Sequence, residues 1–301
     1  MFWAELNRFK IKVYGEKSKI KLKNISDTDD ILFLHNLLTN DIKGLKKGHF
    51  NYNLRLTGSG EPVDDFFVYR DEGFFILDTN KNPEELITEL SRLKLSLKVY
   101  FEPLKYRHLI ISGERAQNFL EDIGFEIPED FSFMKKENMY VAKNPLRIGK
   151  GTYEIFGNVE DVVQKLQQFK KIDEKGLEQL RIKNCIPKIG KELRKGFHPL
   201  EANILHAFSL EKGCYVGQET IARVYFRGRP PRTLVLFKTD GNLRENKKIL
   251  FNRKAVGTIT SLTPDKSYGL GYVLRDFAEE NREFETENGK IVILKECLFK
   301  F

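Results

Sequence analysis

The sequence is poor in cysteine and lacks any long apolar run. Its 301 residues contain three cysteines, Cys185, Cys214 and Cys297, which are widely spaced and form no CxxC pair. This odd, dispersed set argues against a disulfide framework and predicts a reducing compartment, the cytoplasm. No hydrophobic run approaches the roughly 20 residues that span a bilayer, and charges interrupt the N-terminal segment. We therefore expect neither a membrane span nor a secretory signal.

Motifs of several enzyme classes are also missing. No GxGxxG follows a predicted strand and no GxxxxGK[ST] occurs, which disfavours nucleotide-driven chemistry. No histidine follows Cys214, so a papain-like arrangement does not hold. His198 and His206 flank Glu201, but their spacing is more typical of partly exposed polar positions than of ligands, and no metal site is predicted.

Positive charge is in excess. The net charge of +8 and the isoelectric point near 9.1 favour anionic partners such as nucleic acid, acidic proteins or polyanionic small molecules. The lysine pairs are scattered along the chain, which is typical of an ordinary solvated surface. In RVYFRGRPPR (223–232) arginines alternate with aromatic residues, which is compatible with an RNA-binding module or with a simple link between domains. Direct nucleic-acid binding is left open but not favoured.

Strand and helix patterns divide the chain into two parts. Up to residue 228 they alternate, with three strands predicted over 49–79, a strand pair over 147–157 and a helix over 176–183. After Pro230 short β-rich runs follow one another with almost no helix, which predicts a small β-barrel. We therefore expect an α+β region over 1–228 and a C-terminal barrel over 229–301.

Cys214 lies in an unusual setting, EKGCYVGQETIAR (211–223). Lys212 and Arg223 are cations that favour the reactive thiolate, and Gly213 and Gly217 allow a sharp turn that leaves the sulfur accessible and could approach a planar ligand. The alternative is a small buried hydrophobic residue at a strand end.

Two acids, Asp64 and Asp65, enter an apolar strand. Alternation along a strand sends one side chain inward and the other outward, and a buried carboxylate must accept hydrogen bonds. The inward one could receive N–H groups of a ligand or handle a proton, although an aspartate that caps the preceding turn is the simpler alternative. Arg181 and Arg223 are candidate anion-binding forks or ordinary salt-bridge partners.

The segment KGCYVGQETIAR (212–223) resembles the signature of the YgfZ-type folate-binding proteins, K-G-C-Y-x-G-Q-E-x-x-x-R, at every fixed position. These proteins are relatives of the glycine-cleavage T-protein, an aminomethyltransferase. Similarity extends to GLEQLRIKNCIP, LLTNDIKGLKKGHF, GEPVDDFFVYRDEGFFILDTN and AVGTITSLTPDKSYGLGYV. The resemblance implies an α+β, T-protein-like fold: three domains in a ring around a central folate site, the last being a C-terminal β-barrel.

The resemblance also implies a function. YgfZ-type proteins are implicated in assembling or repairing iron–sulfur clusters in client enzymes, including a radical tRNA-thiolating enzyme, and they require tetrahydrofolate and the motif cysteine. The expected partners are therefore iron–sulfur enzymes and a folate. The alternative is an aminomethyltransferase that moves a one-carbon unit from a lipoylated carrier to tetrahydrofolate, and Cys214 argues against it because the aminomethyltransferase motif typically lacks the cysteine.

Carried onto this chain, the resemblance suggests a set of site residues. The candidate reactive groups are Cys214, Asp64 and Asp65, and the candidate folate contacts are Arg223, Tyr52, Asn53, Asn80, Tyr215 and Lys212.

One position departs from the pattern. Where aminomethyltransferases usually read LRLEAG this chain reads LRIKNC, so Lys183 replaces a glutamate expected to face the pterin. A lysine ammonium has no acceptor for the N–H groups of a pterin. Asp64, Asp65 or Glu178 could substitute for that glutamate.

Overall fold

The computed structural model describes residues 1–18 and 28–299. In chain order its strands are β1 (Phe2–Glu5), β2 (Phe9–Gly15), β3 (His49–Leu56), β4 (Pro62–Arg70), β5 (Phe75–Thr79), β6 (Val99–Leu104), β7 (Arg107–Ser112), β8 (Phe133–Lys136), β9 (Met139–Lys143), β10 (Thr152–Gly157), β11 (Lys170–Lys171), β12 (Arg232–Thr239), β13 (Lys248–Phe251), β14 (Lys254–Leu262), β15 (Tyr268–Leu274), β16 (Glu283–Thr286) and β17 (Gly289–Glu296). The helices are α1 (Asp29–Leu37), α2 (Pro83–Leu93), α3 (Ala116–Asp122), α4 (Pro145–Ile148), α5 (Glu160–Leu166), α6 (Glu174–Lys183) and α7 (Gln218–Phe226).

The strands form two open sheets and a barrel. One sheet has the order β11-β1-β7-β10-β9-β8 and the other the order β3-β4-β5-β2-β6, so the chain leaves the first sheet after β1, builds the second, and returns with β7. Strands β12 to β17 close into a barrel in the order β12-β15-β14-β13-β16-β17, with β12 pairing β17. The predicted α+β fold with a C-terminal barrel is confirmed. The division at residue 228 stays a prediction.

The three strands predicted over 49–79 are β3, β4 and β5. In the β3–β4 pair Leu54 lies opposite Asp65 and Arg55 lies opposite Asp64. The second sheet buries one apolar face against α1 and α2, in a core that includes Ile11, Phe66 and Leu86. Its other face packs toward the first sheet and the barrel, and this is the face that reaches the centre of the molecule.

Helix α6 agrees with the prediction over 176–183, beginning slightly earlier because the Asp173 side chain accepts a hydrogen bond from Gly176 N at 2.9 Å. The strand pair predicted over 147–157 is wrong in its first half, where α4 ends at Ile148. Asn144 caps α4 by accepting from Leu146 N at 3.1 Å, and Pro145 occupies the first turn.

The argument against a disulfide framework does not hold for one pair of cysteines. Cys185, just after α6, forms a disulfide with Cys297, just after β17, and their Cα atoms are 5.4 Å apart. The two positions are separated by 112 residues along the chain, so only the fold reveals that they meet. The cytoplasmic location rested partly on unpaired cysteines and stays a prediction. Among the described residues, no helix combines the length and apolar character needed to cross a bilayer.

We predict that reducing this disulfide lowers the free energy of unfolding by about 2–4 kcal/mol, because the cross-link restricts the conformations of the unfolded chain. Urea titrations of the oxidised and dithiol-reduced protein, with thiol counting to verify reduction, measure the difference. The Cys214→Ala variant is the control and should respond to reduction as the wild type does. Identical unfolding midpoints before and after complete reduction would contradict the prediction.

Candidate functional site

A cavity of about 590 Å³ lies where the two sheets, α6 and the barrel side of the molecule meet. Its lining comes from the loop after β1, from the second sheet, from α4 and α6, from the segment after α6, and from the C-terminal segment. These residues include Arg8, Tyr52, Asp65, Phe67, Asn80, Leu146, Arg147, Glu178, Arg181, Ile204, His206, Pro264 and Phe299. Three of the predicted site residues, Tyr52, Asp65 and Asn80, are therefore brought together here.

Asp65 lines this cavity, and one of its carboxylate oxygens has no hydrogen bond among the described residues. Its Oδ2 accepts a hydrogen bond from the Tyr52 hydroxyl at 3.0 Å. Its Oδ1 is buried and has no hydrogen-bond partner among the described residues, with Arg8 Nη1 at 4.0 Å. Burial and the neighbouring Asp65 carboxylate raise the pKa of Tyr52 well above its ordinary value, so Tyr52 remains a donor that fixes the carboxylate.

Asp64 faces the other way, as strand alternation requires. Its Oδ2 accepts from Arg55 Nε at 2.7 Å, and its Oδ1 lies 3.7 Å from Lys81 Nζ. Arg55 in turn binds Glu89 of α2 at 2.6 Å. Asp64 therefore belongs to an ion-pair group against α2 and does not line the cavity, so of the two predicted acids only Asp65 reaches the site.

Arg147 forms part of the cavity lining above a fully buried charge cluster. Its Nη2 donates to Asp78 Oδ2 at 2.7 Å, its Nε pairs with Glu154, and its guanidinium lies 4.3 Å from the centre of the Phe67 ring. Arg8 also pairs with Asp78. Although burial opposes it, the positive charges of Arg147 and Arg8 hold the pKa of Asp78 well below its ordinary value. No motif of the sequence marks Arg147 as a site residue, although Asn144 and Pro145 just before it indicate the start of a helix.

Lys10 completes the cluster. Its Nζ lies 3.3 Å from Asp78 Oδ2 and 2.9 Å from His108 Nδ1. Burial lowers the pKa of Lys10 to about 8. Burial and the positive charge of Lys10 together lower the pKa of His108 well below its ordinary value. Ligand atoms of Asp78, His108 and Glu154 lie within 4.8 Å of one another, a spacing that a metal could use. Here the carboxylates are already balanced by Lys10 and arginine side chains.

The opposite wall contains Glu178 and Arg181 of α6. All five N–H groups of Arg181 have acceptors: Glu178 takes two (2.6 and 2.9 Å), and Glu192 Oε2, Ile186 O and Ser261 Oγ take one each (3.0, 2.6 and 2.8 Å). The guanidinium is therefore fully used in structural contacts. This placement favours the salt-bridge alternative over an anion-binding fork.

Lys183, the departure from the family pattern, turns away from the cavity. Its Nζ lies 4.6 Å from the centre of the Tyr268 ring on the barrel. Glu178 and Asp65, two of the acids that could replace the missing glutamate, both line the cavity. The loss of the glutamate at position 183 therefore leaves carboxylates in the site.

The Cys214 motif forms a separate feature at the end of α1. Lys212 is buried, and its Nζ donates to the carbonyls of His35, Leu38 and Asn40 at 2.5, 2.5 and 2.8 Å. Burial lowers the pKa of Lys212 to about 7. Gly217 has a φ of +82°, and a Cβ there would lie 2.6 Å from the Thr57 carbonyl oxygen, so the loop requires glycine at this contact.

Asn40 connects this loop to the cavity wall. Its carbonyl accepts from Lys212, while its side-chain amide donates to Tyr52 O at 3.0 Å and to His206 O at 2.8 Å. Asn53, a predicted folate contact, is fully buried and accepts from Asn40 N at 2.9 Å. Asn53 therefore supports the wall without lining it.

The remaining motif residues lie outside the cavity. Cys214 is exposed and takes no part in the disulfide. Tyr215 is buried against Lys212, and burial raises the pKa of Tyr215 to about 12. Arg223 is exposed on α7 and pairs with Glu219 at 2.6 Å. The structure does not bring Cys214, Lys212, Tyr215 or Arg223 to the cavity lining.

Comparison with known proteins is consistent with this architecture. The family profile of the GCVT N-terminal domain matches residues 18–212. An uncharacterized protein of Aquifex aeolicus is 49% identical over 147 residues, which are 48% of this chain and 99% of that protein. An aminomethyltransferase of Bacillus cytotoxicus is 25% identical over 288 residues, covering 87% of this chain and 79% of the relative. The structure of the glycine cleavage system aminomethyltransferase T from Bartonella henselae aligns with a TM-score of 0.82 at 18% identity, covering 98% of this chain and 85% of that one.

His206, which lines the cavity, gives a prediction about pH. Burial lowers its pKa from 6.5 to about 4. As the pH falls through this window the unfolded chain binds a proton that the native state does not, so stability decreases, by about 3 kcal/mol in total. We expect His206→Phe to remove this part of the acid sensitivity in urea titrations between pH 7 and pH 4.

His49, a partly buried histidine outside the cavity, supplies the matched control for this experiment. His49→Phe should leave the loss of stability assigned to His206 in place. If His206→Phe loses stability as steeply as the wild type over the same pH window, the interpretation of His206 is wrong.

Proposed function

The chain belongs to the GCVT N-terminal domain family, and from this premise we propose that its central cavity binds tetrahydrofolate or a derivative. We further propose that the protein is a folate-dependent accessory protein for the assembly or repair of iron–sulfur clusters in client enzymes, with Cys214 as its reactive group.

The Oδ1 of Asp65, which has no hydrogen bond from the described residues and has Arg8 Nη1 only at 4.0 Å, is the observation that carries the folate proposal. A buried carboxylate oxygen without a donor is costly, and the N–H groups of a pterin ring are donors that would satisfy it. The cavity of about 590 Å³ has the size of a typical small-molecule site. The residues that line the cavity therefore fit a bound folate.

Each wall of the cavity has a definite task in this proposal. Asp65 would accept the pterin N–H groups, Tyr52 would hold Asp65 in place, and Phe67 and Leu146 would exclude water around the ring. Tetrahydrofolate, when bound, supplies the capacity to accept or carry a one-carbon unit. Glu178 and Arg8 contribute charge at the walls.

The position of Cys214 supports the accessory role. The thiol is exposed and does not line the cavity, so it is available to a partner protein rather than to a ligand in the cavity. An enzyme that only transfers a one-carbon unit inside the cavity has no use for a thiol at this place. This separation favours clusters, or the cysteines of a client, as the target of Cys214.

Aminomethyl transfer to tetrahydrofolate is the second candidate. It is favoured by the relatives named aminomethyltransferases and by the presence of Asp65 in the cavity, where a carboxylate could position or move a proton. Formation of methylene-tetrahydrofolate from an aminomethyl-lipoyl carrier protein would decide in its favour.

We predict that Asp65→Asn weakens tetrahydrofolate binding by about 10- to 100-fold, because it removes a charged acceptor. Asp64→Asn is the matched control: it makes the same change one residue away, on the opposite face of β4, and should bind with the affinity of the wild type. Anaerobic calorimetric titration measures both. Equal affinity of Asp65→Asn and wild type would refute the assignment of Asp65.

We predict that the chain rescues cluster-dependent tRNA thiolation in a bacterium without its own YgfZ-type protein, whereas Cys214→Ser does not. The reason is that the exposed thiol is the group proposed to act on the client. Thiolated nucleosides measured by mass spectrometry give the readout, with immunoblots to verify equal expression. Rescue by Cys214→Ser would show that the thiol is not needed. Failure of a well-expressed wild type to rescue thiolation would favour one-carbon transfer as the function.

A further inference from the structure

A second concave surface lies on the side of the molecule formed by α7 and the C-terminal segment. It encloses about 480 Å³ between the end of α7, the turn around residue 205 and the segment after β17. The apolar part of its lining consists of Leu200, Leu205, Tyr225, Pro230, Leu298 and Phe299. We call this surface the α7 groove.

The α7 groove is unusually exposed for its apolar character. Leu205 is 43% exposed, Tyr225 40% and Leu298 55%. Phe226, 75% exposed, lies edge-to-face on Tyr225 with the ring centres 5.2 Å apart and extends the apolar surface beyond the groove. A contiguous apolar surface of this kind marks an interaction site more often than do hydrophobic residues scattered singly.

Positive charge lies beside this apolar surface. Arg227 and Arg229 directly follow α7, are exposed, and have no ion pair within residues 1–18 and 28–299, and Arg229 lines the groove. The acid in the lining, Glu296, is neutralised by Arg275 at 2.9 Å and accepts from Thr233 Oγ1 at 2.6 Å. Arg229 at the groove and Arg227, two residues before it, therefore offer a partner guanidinium groups that have no ion pair in the described part of the chain.

We propose that the α7 groove docks an acidic amphipathic segment of a partner protein. Its apolar side chains would fill the space between Leu205, Tyr225 and Leu298, and its carboxylates would pair with Arg227 and Arg229. Apolar anchors in a groove with complementary charges at the rim are a recurring mode of peptide recognition. The inference rests on this surface and is independent of the folate and cluster proposals.

Single-stranded RNA is the competing occupant, because arginines and aromatic rings also bind nucleic acid. The geometry favours the peptide. Leu200, Leu205 and Leu298 offer no flat π surface for bases, and the rings of Tyr225 and Phe226 are inclined at 84°, so they do not form one continuous stacking platform.

The test uses the full chain and two fluorescein-labelled peptides of about 14 residues with leucines at helical i, i+3, i+4, i+7 spacing. Glutamates fill the remaining positions of one peptide and lysines those of the other. We expect fluorescence polarisation to show binding of the acidic peptide only. The Arg227→Glu/Arg229→Glu variant and the Phe226→Ser/Leu298→Ser variant should each weaken it by about tenfold or more.

The control is Arg253→Glu/Lys254→Glu, which makes the same change in charge at the β13–β14 turn, outside the groove. It should keep the affinity within about twofold of the wild type. Because all the replaced side chains are exposed, thermal unfolding should verify intact folds. Failure to bind the acidic peptide, or equal weakening by the control, would overturn the proposal. Tighter binding of a labelled oligouridylate that displaces the peptide would replace it with a nucleic-acid surface.

Discussion

The buried charge cluster beneath the cavity is the constraint on which the arrangement of the two sheets depends. Asp78 and Glu154 come from different sheets, and Arg8, Lys10 and Arg147 supply the cations that face them. A buried carboxylate that loses its partner destabilises a protein by several kcal/mol, so the sheets close on each other only when these side chains meet. Because Arg147 and Arg8 also line the cavity, the contacts that join the sheets shape the candidate site.

The cavity and the motif thiol are separate in space but share a support. Asn40 donates to the backbone of Tyr52 in the cavity wall and accepts from Lys212 in the Cys214 loop. Asn40 is therefore a polar contact common to the cavity wall and the loop that carries the thiol.

Much of the fold could be predicted from the sequence because the signals were local. The strands β3 to β5 follow from alternation and turn residues, and the same alternation separates Asp65 from Asp64. The disulfide could not be predicted, since Cys185 and Cys297 are brought together by the docking of the barrel. The burial of Lys212 could not be predicted either, because the carbonyl groups that accept hydrogen bonds from its ammonium belong to the end of α1, far away in the chain. A charged residue beside a cysteine looks like an activating group until its contacts are known.

The Cys185–Cys297 disulfide closes part of the linear chain into a loop. The backbone from residue 185 to residue 297 becomes a covalent ring, and this ring contains the Cys214 loop, α7 and the strands of the barrel. A protease that cuts once in the exposed segment after α7 would open the ring without releasing a fragment. After such a cut the barrel would remain covalently attached to the domains around the cavity through Cys185 and Cys297, until a reductant breaks this bond.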